Sequence, residues 1–404
     1  MQQGYKQTEV GLIPEDWNLT PIGDIADFQG GSQPDIKYFT NRETKDNIRL
    51  IQIRDYKSDK YITYIPLCLA KRFCSKDDIM IGRYGPPIFQ ILRGLEGAYN
   101  VALIKTIPKN VCKEFLYYVL KDQKLFEYIE LLSRRSSGQT GVDLEGLRNY
   151  TIPCPSLPEQ SRIAEALSDV DSMISSIEKL IAKKKAIKQG AMQELLTGKK
   201  RLSGFTGEWT EKTISQYGNF VSGNGFPLKY QGNPSGLYPF YKVSDFSNVG
   251  NGRAMIKANN YVSSVAAVSL SCNIIPKNSI VFAKIGAAIA LERKRITTCD
   301  CCIDNNMMSF QPHQKEIASY MCYLFQTIRF GELVEATALP SLSGRSIGEI
   351  KKPFPPTTEE QTAIASILFD MDNEIEALEQ KLAKTRQLKQ GMMQQLLTGK
   401  IRLV

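Results

Sequence analysis

The feature that most constrains this fold is an internal repeat at the ends of the two halves of the chain. A shift of 201 residues aligns 160–202 with 361–403 without a gap, with 22 identities in 43 positions. The copies end in QGAMQELLTGKKRL and QGMMQQLLTGKIRL. Because repeats of this kind encode the same structural element each time, any fold of this chain must contain two equivalent copies of one element.

Both copies of the repeat predict long helices, because their apolar residues recur at alternating spacings of four and three, as in a helix that packs along one partner helix. These positions are Ile163, Leu167, Val170, Ile174, Ile177 and Ile181 in the first copy, and Ile364, Leu368, Met371, Ile375, Leu378 and Leu382 in the second. The stripe then resumes out of step at Ile187, Ala191 and Leu195, and at Leu388, Met392 and Leu396. This shift indicates that each helix changes neighbours partway along its length.

Local signals also define the ends of these helices. Ser156 with Glu159, and Thr357 with Glu360, match the [ST]-x-x-E capping box. The glycine of each LLTGK tail stands where a glycine commonly ends a helix. Each helix is then about 38 residues long, or about 57 Å. Helices of this length need a partner, so we expect the two copies to pair antiparallel as a coiled coil; two separate dimerisation arms are the alternative.

The regions that precede the helices are related more distantly. DDIMIGRYG (77–85) aligns with NSIVFAKIG (278–286) at the same offset, RDY (54–56) resembles SDF (244–246), and GAYNVALI (97–104) resembles IDNNMMSF (303–310), which aligns Asn100 with Asn306. Runs rich in Tyr, Ile and Val that alternate with Gly, Pro and Asn turns predict strand-rich α+β domains. The expected organisation is a globular domain at 1–157, a central helical spacer at 158–200, a second globular domain at 201–356 and a C-terminal helical spacer at 357–404, with pseudo-twofold symmetry.

Composition narrows the class of protein. The chain of 404 residues contains a single histidine, His313, which lowers the expectation of catalysis because histidine is the commonest general base. Nine unevenly spaced cysteines, no signal peptide and no long apolar segment are typical of a cytoplasmic protein with reduced thiols. The net charge is +9, and the segments 176–201 and 377–402 carry +6 and +5. This concentration indicates a polyanion or an acidic protein surface as the partner.

These motifs together resemble the specificity subunit of type I restriction–modification enzymes over essentially the whole chain. The resemblance is carried by TEVGLIPEDW (8–17), PEQSRIAEALSDVD (158–171), EEQTAIASILFDMD (359–372) and the two LLTGK tails (195–199 and 396–400). It implies that each globular domain is a target recognition domain for one half of an asymmetric, bipartite double-stranded DNA site. It also implies that the paired helices set the spacing and dock two modification (methyltransferase) subunits.

By the same resemblance, the chain is not itself an enzyme. S-adenosylmethionine, ATP and Mg²⁺ are expected on the modification and restriction subunits, with no cofactor or metal on this chain. The sequence agrees, since it contains neither a G-x-x-x-x-G-K-[ST] phosphate loop nor a [DN]-P-P-[YF] tetrapeptide. The alternatives are a stand-alone nuclease or methyltransferase, and a coiled-coil scaffold with no nucleic-acid role.

Candidate DNA-contacting residues come from loops with basic and amide or hydroxyl side chains, the groups that contact phosphates and base edges. In the first domain they are Arg54, Lys57, Arg83, Tyr84, Arg134, Arg135, Gln139 and Thr140. In the second domain they are Lys242, Ser244, Lys284, Ser341, Ser343 and Arg345. Arg83 and Lys284 align by the repeat, which favours a shared role at the phosphate backbone.

Candidate partner-contacting residues lie on the repeated helices. They are Ile163, Leu167, Ile174, Lys184, Lys188, Ile364, Leu368, Ile375, Lys389 and Met392. The sequence leaves open whether the basic helix segments face DNA phosphates or acidic surfaces of other subunits. It also leaves open which bases each half reads, the gap between the halves, and whether the parent complex cleaves DNA or only methylates it.

Three further patterns are weaker and have simpler explanations. FVSGNGF (220–226) resembles a Gly-rich S-adenosylmethionine loop, but no helix pattern follows, which favours a turn. Asp35, Glu43 and Lys45 fit a loose nuclease pattern that the second half lacks. Cys299, Cys301, Cys302 and His313 lack the paired spacing of structural zinc sites, which favours buried free thiols.

Overall fold

A computed structural model describes residues 4–135, 141–334 and 340–403, and describes only the backbone at Arg134 and Arg135. The chain forms two compact units: unit 1 comprises Met1–Glu178 and Lys381–Val404, and unit 2 comprises Lys179–Gln380. The units therefore divide the chain differently from the four predicted segments, because each combines one globular domain with part of both long helices.

Unit 1 contains the first twelve strands, most of them short. They are β1 (Tyr5–Thr8), β2 (Gly11–Pro14), β3 (Asn18–Pro21), β4 (Ala26–Gly30), β5 (Asn47–Ile51), β6 (Tyr64–Pro66), β7 (Phe73–Cys74), β8 (Ile79–Gly82), β9 (Gln90–Leu92), β10 (Gly97–Tyr99), β11 (Leu103–Pro108) and β12 (Thr151–Cys154). Two four-stranded sheets have the orders β4-β11-β8-β9 and β6-β5-β10-β7. The first is antiparallel, whereas β5 and β10 in the second are parallel.

Unit 2 contains the remaining ten strands. They are β13 (Thr210–Thr213), β14 (Gly218–Ser222), β15 (Tyr238–Tyr241), β16 (Ala254–Met255), β17 (Tyr261–Val262), β18 (Ile280–Ala283), β19 (Lys294–Thr297), β20 (Cys302–Ile303), β21 (Met307–Pro312) and β22 (Lys351–Phe354). Its larger sheet has the order β14-β21-β18-β19-β16 and its smaller sheet the order β17-β15-β20. Unit 2 thus shares much of the topology of unit 1, but its larger sheet has a fifth strand, β16, and its smaller sheet has three strands instead of four. Strands β8 and β18 are related by the predicted offset of 201 residues.

Nine α-helices complete the described part of the chain. They are α1 (Ile22–Ile25), α2 (Lys113–Leu120), α3 (Gln123–Arg135), α4 (Leu144–Asn149), α5 (Leu157–Leu195), α6 (Ser264–Ser269), α7 (Ala318–Gln326), α8 (Gly344–Gly348) and α9 (Thr358–Leu396). The repeat forms α5 and α9, each of 39 residues. Gly198 and Gly399 adopt φ of 72° and 70°, in the left-handed region, as expected just past a helix end.

Within each unit, segments of α5 and α9 run antiparallel, as predicted. In unit 1, Asp171 pairs with Lys389 and Glu178 with Arg386. In unit 2 the ion pairs are Lys184–Glu374, Lys185–Glu379 and Lys188–Asp372. In both sets, partners on α9 generally come earlier as positions on α5 come later, the register of an antiparallel pair.

The start of each long helix is held by the tail of the other through a buried glutamate. In unit 1, Glu159 accepts hydrogen bonds from Arg402 Nε at 2.7 Å and from Trp17 Nε1 at 3.0 Å. Arg402 also makes a bidentate pair with Asp16, which lowers the pKa of that carboxyl. These glutamate side chains were predicted to cap their own helix; instead they join two helices and a tryptophan.

Unit 2 repeats this arrangement around Glu360, which is 1% exposed in its side chain. It accepts from Arg201 Nε at 2.7 Å and from Trp209 Nε1 at 3.3 Å. Only the threonine half of the predicted capping box is present here, with Glu360 N donating to Thr357 Oγ1 at 3.3 Å.

An aspartate, a lysine and a tyrosine fasten each globular domain to the helices. Asp372 accepts from Lys188 Nζ at 2.7 Å and from Tyr323 Oη at 2.8 Å. In unit 1, Asp171 accepts from Lys389 Nζ at 2.6 Å and from Tyr118 Oη at 3.0 Å. Burial and the neighbouring aspartate raise the pKa of both phenols, so they remain hydrogen-bond donors at neutral pH.

One further contact between domain and helix occurs in unit 2. Arg253 donates to Asn373 Oδ1 at 2.9 Å, forms an ion pair with Glu376 and lies over the ring of Phe369. The positions of α5 that correspond to these three α9 residues are all serines, at 168, 172 and 175.

The helices contribute directly to the core of each unit. In unit 1, Ile163 and Leu167 near the start of α5 pack with Phe115, Trp17 and the end of α9. In unit 2, Ile364 and Leu368 pack with Tyr320, Phe354 and the end of α5. The second apolar stripe is only partly correct, because Leu195 and Leu396 are buried while Ile187 and Leu388 are 46% and 58% exposed.

Glu360→Gln should destabilise the protein by about 2–4 kcal/mol, because it removes the charge that neutralises the partly buried Arg201. Glu374→Gln is the control: it removes an equally close but half-exposed partner of Lys184, and should cost less than about 1 kcal/mol. Urea unfolding of the two variants measures this difference. Equal midpoints would show that the buried pair contributes no more than a surface one.

Candidate nucleic-acid interface

In unit 1, the predicted reading segments converge where strands β4, β5 and β8 end. Arg83 N donates to Ala102 O at 2.8 Å, and Val142 N donates to Arg83 O at 3.0 Å. Asn100 N donates to Ile51 O at 3.1 Å, which places the turn after β5 against the same site. The segments around Arg54, Arg83 and residues 141–142 thus form one surface.

Unit 2 builds the same surface with the same backbone bonds. Lys284 N donates to Asn306 O at 2.9 Å, and Leu342 N donates to Lys284 O at 2.8 Å. Asp304 N donates to Tyr241 O at 2.9 Å. The structural counterpart of Asn100 is therefore Asp304, so the predicted alignment of Asn100 with Asn306 is wrong by two residues.

In each unit, one glycine packs directly against the backbone of a neighbouring loop of this surface. Gly31 N donates to Leu103 O, and Gly223 N donates to Met307 O, at 3.0 and 3.1 Å. A Cβ on Gly31 would lie 1.9 Å from Asn100 O, and one on Gly223 would lie 2.0 Å from Asp304 O. Only glycine fits at either position. This explains Gly31 of the FQGGSQP segment and Gly223 of the FVSGNGF segment as packing requirements.

Buried carboxylates beneath both surfaces hold their turns in place through hydrogen bonds. Asp55 and Asp245 each bind the backbone N–H three residues earlier, from Gln52 at 3.0 Å and from Lys242 at 2.6 Å, and so hold matching turns in place. Burial raises the pKa of Asp55. Burial likewise raises the pKa of Asp304, which accepts a hydrogen bond from the Asn306 side chain at 3.2 Å.

The candidate residues of the first domain fall into two groups. Arg54, Lys57, Arg83 and Tyr84 lie on the surface described above. Arg54 is 54% exposed, and Arg83 lies over the Tyr84 ring at 5.3 Å. Arg134 and Arg135 are the last two residues of α3, and Gln139 and Thr140 lie outside the described residues.

In the second domain, Lys242 Nζ donates to Gln231 Oε1 at 3.0 Å and Lys284 Nζ donates to Ser222 Oγ at 3.0 Å. Ser244 and Ser341 are exposed. Ser343 caps α8 by accepting from Arg345 N at 3.1 Å, and the exposed Arg345 pairs with Glu349.

Two further residues, Ser222 and Asp304, also lie at this surface in unit 2. No spacing in the sequence predicts their position there.

Most of the helix residues proposed as partner contacts are buried or form ion pairs within this chain. Ile163, Leu167, Ile364 and Leu368 are at most 1% exposed. Ile375 is also buried, and Ile174 and Met392 are partly so. Lys184, Lys188 and Lys389 form ion pairs with carboxylates of the same chain. These residues therefore stabilise the helix pair, and buried side chains among them present no surface to another subunit.

The described residues do not bring the weaker sequence patterns together as a metal site. They contain no group of three or more His, Cys, Asp or Glu side chains placed to hold a metal ion. Cys301 and Cys302 are buried and free, Cys299 is exposed and free, and His313 is exposed. Asp35 caps a short 3₁₀ turn, and Glu43 accepts from Tyr64 Oη. Across residues 4–135, 141–334 and 340–403, no helix is long and apolar enough to span a membrane.

Comparison with known proteins agrees with the duplicated architecture. The family model described as the type I restriction modification DNA specificity domain matches residues 14–189 and again 206–387. The chain is similar to two proteins of Methanocaldococcus jannaschii, the putative type I restriction enzyme MjaX specificity subunit and the MjaVIII specificity subunit. Each is 24% identical to it, over 100% of this chain and 97% of the relative.

A solved structure has a similar fold. The S subunit of the type I restriction–modification system of M. genitalium aligns with a TM-score of 0.60 at 18% identity, over 98% of this chain and 99% of that one.

Gly223→Ala should destabilise unit 2 by about 1–3 kcal/mol, because a methyl group would overlap the carbonyl oxygen of Asp304. Gly225→Ala is a matched control two residues away, since a Cβ there meets nothing within 4 Å. Thermal unfolding of both variants tests the close approach. A Gly223→Ala variant as stable as the control would show that the backbone at Asp304 can move to accommodate the methyl group without loss of stability.

Proposed function

Because the chain belongs to the type I restriction modification DNA specificity family, we propose that its two units read the two parts of one bipartite double-stranded DNA site. The observation that carries this proposal is the duplicated surface at Arg83 and Lys284. Each unit places one basic residue where three loops meet, by the same backbone hydrogen bonds. The surrounding side chains differ between the two units.

A backbone arrangement that is the same in both units, but carries different side chains, suits the two tasks of a DNA-reading protein. Phosphate contacts position a protein on the duplex and carry no sequence information, whereas contacts to base edges do. Arg83 and Lys284 supply the positive charge for the first task. The second task falls to the neighbouring positions, which are Gln52 and Arg54 in unit 1 but Lys242 and Ser244 in unit 2. Because these side chains differ between the units, we expect the two half-sites to differ in sequence.

The helices supply the frame for this reading. Both α5 and α9 contain residues of both units, and each spans about 58 Å at 1.5 Å per residue. A continuous helix has few ways to change length, so we assign to this pair the spacing between the half-sites. The similarity of the two copies, with 22 identities in 43 positions, further supports a partner that the chain meets twice, in line with two modification subunits.

We also place the chemistry outside this chain. The relatives are named as subunits of type I restriction enzymes, so methyl transfer and cleavage would belong to modification and restriction subunits that bind S-adenosylmethionine, ATP and Mg²⁺. This chain would supply sequence recognition. A stand-alone nuclease or methyltransferase would act on DNA without partners, and a pure scaffold would show no salt-dependent retention of DNA even in their presence.

Removal of the aligned basic residue from either unit should weaken DNA binding by the assembled complex at all sequences. For Arg83→Ala and for Lys284→Ala, the slope of log K against log salt should fall by about one phosphate contact. Lys315→Ala is the control, because Lys315 follows β21 at the end of the sheet opposite Lys284. A slope identical to that of the unmodified chain would show that Arg83 and Lys284 do not contact phosphates.

Exchange of residues 20–150 for those of a related chain should change one half of the methylated site and leave the other half intact. The measurement is the methylated-adenine motif in the DNA of cells that express this chain with its modification subunit. The unmodified chain provides the reference motif. Changes in both halves would contradict independent reading by the two units, and methylation by this chain alone would favour the stand-alone enzyme.

A further inference from the structure

Each unit contains one short 3₁₀ turn that presents an aliphatic side chain to solvent. Turn 1 is Ile36–Tyr38 in unit 1, and turn 2 is Leu228–Tyr230 in unit 2. The side chain of Ile36 is 77% exposed and that of Leu228 is 85% exposed. Among the described residues of unit 1, no other large apolar side chain is as exposed as Ile36.

The two turns are equivalent in structure. Each residue of turn 2 lies 192 positions after its counterpart in turn 1, whereas the helices repeat at 201, so the helix repeat does not reveal the match. Tyr38 N donates to Asp35 O, and Tyr230 N donates to Pro227 O, both at 3.0 Å. A single exposed aliphatic residue is ordinary on a protein surface. The same exposed tip at the same place in both units indicates a shared contact.

A lysine and a tyrosine accompany the aliphatic tip in both turns. Lys37 Nζ lies 5.2 Å from the centre of the Tyr38 ring, and Lys229 Nζ lies 5.0 Å from that of Tyr230. Lys37 is also 3.9 Å from the carboxylate of Asp35, an ion pair with both side chains more than half exposed. Lys229 forms no ion pair within the described chain. Each apolar tip thus has a solvent-accessible positive charge beside it.

Both turns border the candidate DNA surface. Ser32 and Asn224 directly follow the two glycines that pack against this surface, and lead into turn 1 and turn 2. Ser32 N donates to Tyr99 O at 3.1 Å, and Asn224 N donates to Ile303 O at 3.0 Å. These bonds attach the start of each turn to the loop that lies beside Arg83 in unit 1 and beside Lys284 in unit 2.

The chain is also held after each turn. In unit 2, Gln231 accepts from the candidate residue Lys242 at 3.0 Å and donates to Phe226 O at 2.7 Å. In unit 1, Thr40 N donates to Tyr64 O at 3.0 Å, and Tyr64 N donates back to Thr40 O at 2.7 Å. Both tips are therefore carried on turns that are fixed at each end.

The chemistry of the tips selects one part of a DNA duplex. An aliphatic side chain gains nothing from charged phosphates, whereas the stacked bases are apolar on their faces. DNA-bending proteins insert Leu, Ile and similar side chains between base pairs, which unstacks the step and kinks the duplex. A fixed turn that presents such a side chain beside a lysine suits this contact.

We propose that Ile36 and Leu228 are apolar wedges that insert between base pairs, one in each half of the DNA site, and bend the duplex there. The inference rests on the proposed function for DNA as the ligand. Lys37 and Lys229 then hold the backbone beside the wedged step. Because the cost of unstacking depends on the step, the wedges add a preference for flexible steps such as TA and CA to the recognition of each half.

The test measures DNA bending by the complete complex of this chain with its modification subunit. The probe is a duplex that carries the methylated motif and a fluorescent donor and acceptor at its two ends. The unmodified complex should bring the ends closer. Ile36→Ala and Leu228→Ala should each reduce the bend and weaken binding about tenfold, and the double variant should leave the duplex nearly straight. The salt slope should not change, since no phosphate contact is lost.

Two kinds of control accompany these variants. Ile36→Met and Leu228→Met keep an apolar tip and should retain the bend. Ile107→Ala removes another partly exposed isoleucine, 36% exposed, which pairs with Asp27 at the end of the sheet remote from Gly30 and the candidate surface. It should leave bending and affinity unchanged. Thermal unfolding should be the same for all variants, because the tips pack against little of the protein.

The other outcomes separate the wedges from the proposed function. A straight duplex in the unmodified complex, or an unchanged bend in the double alanine variant, would overturn the wedges while DNA reading stands. Loss of modification subunits from the alanine variants in native mass spectrometry would make the tips a protein contact instead. An unmodified complex with no salt-dependent retention of DNA would contradict the proposed function itself.

Discussion

The structure depends on two buried glutamates that join the beginning of each long helix to the end of the other. An ionised carboxylate is costly to bury unless it is paired and hydrogen-bonded. Glu159 and Glu360 meet that requirement only when an arginine from the opposite tail and a tryptophan from the globular domain are both in place. A parallel or slipped helix pair would leave them unpaired. We interpret these sites as the elements that select the antiparallel register.

Around these two sites, the chain separates what is repeated from what varies. The Asp–Lys–Tyr contacts recur in both units with nearly the same distances, and so do the backbone bonds that bring the loops together. The side chains on the loops do not recur. A constant frame that presents variable loops is an economical way to change recognition without disturbing assembly, because the stabilising contacts and the reading contacts involve different residues.

Much of this arrangement could be predicted from the sequence, and the exceptions have physical causes. The helices, their antiparallel pairing and the equivalence of Arg83 with Lys284 follow from periodicity and repeat alignment. The roles of Lys188 and Lys389 do not, because a lysine in a basic run looks the same whether it faces solvent or a buried aspartate. The close approach of Gly223 to Asp304 depends on a contact 81 residues away along the chain, which local patterns cannot reveal. The exposed Ile187 and Leu388 show that an apolar stripe does not identify the face that is buried.

The contacts of Arg253 make the two halves of the molecule unequal as modules. The second globular domain has its own tether to α9, through Phe369, Asn373 and Glu376, whereas α5 offers serines at the matching positions. A foreign first domain meets no comparable arginine site on α5, because serines stand at the matching positions. A foreign second domain inherits an anchoring site shaped for one arginine. Inheritance of new specificity by recombination should therefore be easier in the first half, while a new second half would carry its stretch of α9 along with it.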